Sequence, residues 1–520
     1  MKRVLLLLTL ALMTIDGFTQ EAQSVASLKG TEVKTGIRLQ YLTMDMPVDQ
    51  VSYPLKPTMG MMGLHYLVGL NDWLYAGIGM KAAAIGDQGG LFTLGVDLGV
   101  NQQLYKNLYL DANVHFGGGG GFRSLVNGGA IIQPNIGLQY KAKHFSFGAQ
   151  YSHVNFFTGI MKSDAVSFFI EIPSVLRFAN YTDARKDFVT TNLSSDNFWK
   201  RPATKNVQQV RFDFLFPIGG SREDAPANNA LLRRTLYVIG FEYQKYLNSN
   251  LFLYVHTDTV YKGLIAGFMD LYFGAGYNFV DTKYINFFAK TGIGAAGGRI
   301  AQEGGITMYP SVGFDIKFTN NIALSLHGGY VRALDGDFEA YSSGFGIKYF
   351  GLSGGTKEPI TKKSIDKVET KGFRIGVENQ SFFRVKRFGA HTVDLQLIAI
   401  KPYYDLSDNF YLMGEASFAY EGNSGGYAHG VFGIGAKSNR FLNDKISGVA
   451  EFSFGAAGGG RVDTGEGLVV RPTIGLNYHS SDALTFNVSV GQLLSLDGGV
   501  SSNNINVGFS YGLSFLNAKK

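Results

Sequence analysis

One pattern, met three times, limits what this chain can fold into: a glycine-rich run, an arginine, and a strand-like stretch with a proline eleven residues after the arginine. The first copy passes from the glycines at 117–121 through Arg123 to Ile132-Gln133-Pro134-Asn135-Ile136-Gly137-Leu138-Gln139-Tyr140. The second has Gly294-Ala295-Ala296-Gly297-Gly298-Arg299 and then Met308-Tyr309-Pro310-Ser311-Val312-Gly313-Phe314-Asp315-Ile316. The third has Gly455-Ala456-Ala457-Gly458-Gly459-Gly460-Arg461 and then Val470-Arg471-Pro472-Thr473-Ile474-Gly475-Leu476-Asn477-Tyr478. Agreement in both residue type and spacing marks a chain built by triplication. Read with a period of two, each stretch has one wholly apolar or aromatic face, such as Ile132, Pro134, Ile136, Leu138 and Tyr140, and one small or polar face. A soluble antiparallel sheet alternates in the same way, so the decision rests on how many such strands there are and what surrounds them.

The chain opens with Lys2 and Arg3 before an apolar core at 4–13 that is too short to cross a bilayer. This reads as a secretory signal peptide over residues 1–19, cleaved near Thr19 or Gln20. With no cysteine, a lipid-anchored N-terminus, disulfides and thiolate metal sites are excluded. After the signal no uninterrupted apolar stretch approaches the ~20 residues of a membrane helix. Charged residues are 17% of the chain, low against the ~25% of soluble proteins. The 68 Gly, 41 Phe and 28 Tyr point instead to sheets with an aromatic outer face and a crowded inner one. The net charge of +6 says little about partners, and no nucleic-acid partner is expected.

Eight candidate strands fall in each of three modules, 34–173, 207–350 and 371–516, separated by polar linkers at 174–206 and 351–370. Turns on one side are tight and polar, as at Asn71-Asp72, Asn248-Ser249-Asn250 and Ser407-Asp408-Asn409. Connections on the other side are longer and glycine-rich, as at 117–129 and 217–233. The last strand alternates Ile505, Val507, Phe509, Tyr511, Leu513 and Phe515 with Asn506, Gly508, Ser510, Gly512 and Ser514.

With the signal peptide and the alternating turn lengths, this aromatic-ended final strand resembles the outer-membrane β-barrel superfamily, and each module resembles its small eight-stranded members. Leu516 to Lys520 follow the terminal Phe, a departure from that pattern. The resemblance implies an all-β, transmembrane, antiparallel up-and-down barrel in the outer membrane of a Gram-negative-type bacterium. Three tandem eight-stranded repeats are expected, because strand eight of one module would need only a short turn to continue into a shared ring; the alternative is one 24-stranded barrel.

In each module the first strand places an Arg among its polar positions, and acids on other strands fall on the same side. The expected lumen network is Arg38, Gln40, Asp97, Arg211, Asp213, Asp270, Arg374 and Glu378, with Asp111 and Glu451 beside it. Buried charges inside so narrow a ring must pair. Arg123, Arg299 and Arg461 sit at loop tips or strand ends and are candidate contacts for lipid head groups or lipopolysaccharide phosphates, against plain interfacial solvation. The glycine runs lack the Gly-Lys-Ser or Gly-Lys-Thr of a phosphate cradle. Asp335-Gly336 and Asp497-Gly498 read as turns, not calcium loops. Tyr151-Ser152-His153-Val154-Asn155 is similar to the His-bearing strand of outer-membrane lipid A deacylases, but Asn155 stands where those enzymes have Ser. Trp73 reads as an interfacial belt residue, and Trp199 as either a docking point for a periplasmic protein or the cover of a barrel rim. No cofactor, metal or catalytic residue is expected. The function expected is a non-enzymatic structural or interaction role. The alternatives are a porin-like or transport channel formed by one large barrel, and a lipid hydrolase resting on His153.

Overall fold

A strand in hydrocarbon must find partners for every N–H and C=O, so a sheet there has to close on itself. The computed structural model describes residues 28–121, 123–190, 198–223, 230–265, 267–301, 304–359, 363–389 and 391–518. The expected signal peptide, with its cleavage near Thr19 or Gln20, lies outside them. The chain is an all-β antiparallel barrel protein. Among the described residues no helix is long and apolar enough to cross a membrane.

Strands β1 (Gly30–Asp45), β2 (Thr58–Gly69), β3 (Leu74–Ile85), β4 (Phe92–Tyr105), β5 (Leu108–Gly120), β6 (Ile131–Lys141), β7 (Ser146–Phe156) and β8 (Lys162–Ala179) each pair with the next. β8 then returns to β1, from Gly30 opposite Ala179 to Thr43 opposite Val166. A short strand, β9 (Asp187–Val189), lies in the linker that follows.

The second cycle comprises β10 (Thr204–Ile218), β12 (Leu236–Tyr246), β13 (Leu251–Lys262), β14 (Phe268–Asp281), β15 (Ile285–Gly298), β17 (Ile306–Lys317), β18 (Ile322–Ala333) and β19 (Glu339–Ser353). It closes from β19 to β10. Two-residue strands in its loops, β11 (Arg222–Glu223) and β16 (Ile300–Ala301), pair with each other. The third comprises β20 (Lys367–Lys386), β21 (Thr392–Asp405), β22 (Phe410–Glu421), β23 (Ala428–Lys437), β24 (Ile446–Gly458), β25 (Leu468–His479), β26 (Leu484–Ser495) and β27 (Ser501–Ala518), closed from β27 to β20.

Among the described residues no ladder joins β8 to β10 or β19 to β20; the pairings form three closed cycles of eight. Among the described residues the strand pairings between cycles are the single pairs Ala179 with Ser514 and Ser353 with Asn517, and the three-residue pairing of β9 with β20. The strands overrun the expected module limits on the linker side: β8 reaches Ala179, β10 begins at Thr204 and β20 at Lys367. The linkers shrink accordingly to 180–203 and 354–366, because each terminal strand extends its ladder past the stretch that carries the alternation.

The two faces separate as a barrel requires. Ile136, Val312 and Ile474 stand 53, 64 and 63% exposed on the outside, whereas their neighbours Asn135, Ser311 and Thr473 are 4–5% exposed inside. Inward positions change character along a strand. β1 carries Arg38 and Gln40 and then Leu42 and Met44; β10 carries Arg211 and Asp213 and then Leu215; β20 carries Glu378 and Gln380 and then Phe382. Each interior is therefore charged in its middle and apolar toward the long loops, where a packed cluster fills it.

The rings touch one another cyclically, β3 against β15, β13 against β24 and β22 against β5. A cluster of outward-facing residues is buried there: Phe92 and Leu94 from the first ring, Leu271 and Ala295 from the second, Ile400 and Phe418 from the third. The glycines of the loop end make that approach possible. A β-carbon at Gly90 would lie 2.4 Å from the Gly298 amide nitrogen, one at Gly267 3.3 Å from Gly458 Cα, and one at Gly426 3.0 Å from Gly121 Cα. The same contact thus passes from ring one to two, two to three and three to one. At the tight-turn end Trp199 is 1% exposed and packs with Leu28, Ala179, Leu352, Val368 and Leu516, the strand ends of all three rings. Its indole N–H donates to the Leu28 carbonyl at 3.0 Å. Trp199 covers barrel rims.

Candidate functional site: filled interiors and the space between the rings

A ring of eight strands leaves an interior just wide enough for side chains, and inward glycines set where large ones fit. A β-carbon at Gly79, for example, would lie 2.2 Å from His65 Nδ1. In the first ring Arg38 donates to Asp111 at 2.9 and 3.1 Å and to Glu171 at 2.8 Å, and its guanidinium lies 4.1 Å from the Phe169 ring centroid. Gln40 donates to Ser167 at 3.3 Å. Asp97 is held between His65 and His115, at 2.8 and 2.9 Å, and Lys81 donates to Gln133.

The second ring joins Arg211 to Asp213 and, at 2.7 Å, to Glu242, which Lys290 also contacts. His327 meets Asp213 at 2.6 Å, and Asp270 accepts the Asp258 amide at 2.9 Å. In the third, Arg374 reaches Asp405 at 3.3 Å, and Glu378 takes Lys401 at 3.2 Å and Asn487 at 2.8 Å. Glu415 there binds Arg471 and, at 2.7 Å, His429. Every expected lumen residue thus lies inside a ring and is bonded.

The sequence reading missed Glu171, Lys81, His65, His115, Glu242, Lys290, Lys401 and Glu415. Their signal was present: each is a polar residue at an inward position of an alternating strand, as Lys81 between Met80 and Ala82 or Glu415 between Gly414 and Ala416.

Two interior groups bring metal-ligating atoms within 4.8 Å of one another, His65/Asp97/His115 and Asp213/His256/Asp258. A cation sits beside one carboxylate of each cluster, Lys81 in the field of Asp97 and Arg211 bonded to Asp213. Outside the barrel wall His153 meets Asp164 at 2.6 Å. The hydroxyl next to it, Ser152, turns inward to Asn135 and Ser167. The hydroxyl beside this pair is that of Tyr151, which bonds Asp164, and the His153–Ser152 pairing that a serine hydrolase would need is not formed.

The first linker closes the turn-end mouth of the third ring. Its 3-10 turn at Tyr181–Asp183 sets the Tyr181 hydroxyl on Asp405, and Arg185 reaches Asp405 at 3.3 Å. Burial pushes the Tyr181 phenol up to about 12, so it is a neutral donor to that carboxylate.

The large free volume lies between the rings. A space of about 3150 Å³ is walled by the outward faces of all three, with Tyr66 and Ile78, Phe241 and Val255, Ile375 and Ile400 among its lining. It extends from the loop end, at Gly425 and Gly459, to the turn end, at Pro202 and Gly354. Arg299 and Arg461 line its loop end; the Arg123 side chain lies outside the described residues. Arg177, Lys245 and Lys371, one from each ring, line its turn end.

No family model matches the chain, and no curated protein matches it. Among solved structures, a de novo designed transmembrane β-barrel is 17% identical over 29% of this chain and 97% of its own, with a TM-score of 0.20. OpdQ of Pseudomonas aeruginosa is 10% identical over 93% of this chain and 98% of its own, with a TM-score of 0.22. The siderophore receptor PirA of Acinetobacter baumannii is 8% identical over 94% and 81%, with a TM-score of 0.27. At such scores none of their activities carries over. Its pairing and its apolar outer face are those of an antiparallel β-barrel protein.

Proposed function

We propose that this chain is an integral outer-membrane protein with a transport role, whose route is the space between three closed barrels and not the barrel interiors. One observation carries this reading. Each interior is blocked twice, by ion pairs such as Arg38–Asp111 and by an apolar cluster toward the loops, while the space between the rings runs from loop end to turn end. A path lined by Ile78, Val255 and Ile375 suits an apolar or amphipathic cargo and not a hydrated ion. The porin-like reading, as a single wide ring, would need ladders between modules that the described residues do not form.

A non-enzymatic scaffold is the second reading, favoured by the hub around Trp199 that ties all three rings together. Proteoliposomes separate the two. Transport predicts faster movement of a fluorescent amphiphile between leaflets without ion conductance steps of porin size; the scaffold predicts neither. Porin-size ion steps from the intact protein would overturn closed barrels altogether.

A further inference from the structure

The walls of the inter-ring space have a chemical polarity that says what fills it. Its middle is built from outward-facing side chains of the same kind that meet hydrocarbon elsewhere on the rings, Tyr66, Phe241 and Ile375 among them. Water ordered in a cavity needs several polar partners, and an apolar cavity stays dry. An empty volume of about 3150 Å³ would forfeit the dispersion contacts of all its lining. An apolar occupant would restore those contacts.

The cations facing the space are confined to its ends. Arg177, Lys245 and Lys371 form one set at the turn end, half-buried and one from each ring. Arg177 meets Glu32 at 2.6 Å, Lys245 donates to the Ser174 hydroxyl at 3.0 Å, and Lys371 meets Glu369 at 2.8 Å. Neither Glu32 nor Glu369 lines the space. Its one acidic lining residue, Glu415, belongs to the third ring's interior, where Arg471 and His429 hold it. Apolar walls ending in a three-ring set of cations match one kind of molecule, an amphiphile with hydrocarbon tails and an anionic head.

We propose that the inter-ring space is a binding site for acidic glycerophospholipid, its acyl chains lying along Ile78, Val255 and Ile375 and its phosphate at Arg177, Lys245 and Lys371. This rests on the reading of that space as the protein's working site and names the class of molecule it takes. Arg299 and Arg461, at the other end, lie a strand's length away and are not part of the head-group site.

Gly430 gives a clean probe. It lines the space, and a β-carbon there would meet nothing within 4 Å, so Gly430→Trp projects an indole into it from the third ring's wall. Val312→Trp, on an outer surface that does not line the space, is the control. The full chain, purified in mild detergent, is assayed for retained phospholipid by native mass spectrometry, then delipidated and titrated with phosphatidylglycerol and phosphatidylcholine vesicles. Wild type and Val312→Trp should retain phospholipid and prefer phosphatidylglycerol, and Gly430→Trp should retain less of it. Each of Arg177→Gln, Lys245→Gln and Lys371→Gln should reduce the phosphatidylglycerol preference, by roughly fivefold per cation removed. Equal retention by Gly430→Trp and wild type, or a preference unchanged in the triple glutamine variant, would overturn the site. Amphiphile movement in proteoliposomes is read separately. Retained lipid without movement ends the transport reading and leaves the site standing, whereas movement without retained lipid does the reverse.

Discussion

Arg38 illustrates what a charge requires inside an eight-stranded ring. It is 4% exposed and survives there because Asp111, Glu171 and the Phe169 ring enclose its guanidinium. Removing one member of such a set leaves the other charge buried and unpaired, which is worth about 3–5 kcal/mol, whereas removing both with apolar replacements is far milder. Arg38→Met should therefore destabilise by about that amount, and Arg38→Met combined with Asp111→Leu should recover part of the loss. Urea unfolding in detergent micelles measures both; a double variant worse than the single would refute the pairing. Gly79 is the complementary case. Its missing side chain makes room for His65 and Asp97, with a β-carbon there only 2.2 Å from His65 Nδ1. Gly79→Val should lower the unfolding midpoint although it raises the strand propensity of β3.

At the scale of elements, two ends of the strands tie the rings together by different means. The loop end uses close backbone approach. β-carbons at Gly118 and Gly297 would lie 2.6 Å from the Ala419 carbonyl oxygen and 2.1 Å from the Gly90 nitrogen, both across a ring boundary. Gly118→Val and Gly297→Val should weaken the contact between rings while each ring keeps its own ladder. The expected result is unchanged strand content by circular dichroism with easier separation of the rings in detergent; loss of strand content would place those glycines inside a ring's own stability instead. The turn end uses a side-chain anchor. Trp199→Ala should cost about 3–5 kcal/mol, as for a large buried aromatic, and should expose the linker at 180–203 to protease. A linker that stays resistant would mean that the hub around Leu28 and Leu516 does not depend on the indole.

For the whole molecule, closure of each cycle sets what nicking should do. Gly354 has a positive φ of 79°, a β-carbon there would meet nothing within 4 Å, and it opens the linker between the second and third rings, which makes it the place for an inserted protease site. Cleavage combined with Trp199→Ala should release a third ring, β20–β27, that keeps its fold and migrates separately when run unheated. A single continuous barrel would stay in one piece or unfold on cutting.

Much of this was legible in the sequence, for local reasons. Alternation in Ile132–Tyr140 and its two copies reports which side of a strand is apolar, and Asn71-Asp72 reports a tight hairpin, because both depend only on neighbouring residues. The Arg in β1, β10 and β20 announced a charged interior in the same way. What alternation leaves open is the identity of the surface that the apolar side meets. Phe92 and Ile136 follow the same pattern on the same ring, yet Phe92 is 4% exposed against other rings and Ile136 is 53% exposed. Only tertiary structure decides between them, since a neighbouring ring and hydrocarbon are equally good partners for an aliphatic or aromatic side chain. The partner of each charge was likewise undecided, because Arg38 meets Asp111 and Glu171 through ring register and not through spacing along the chain. The amino-acid order fixes the faces of the strands and the turns between them. Closure of β8 on β1, the seating of glycine against glycine between rings and the space they enclose depend on long-range geometry that no local pattern encodes.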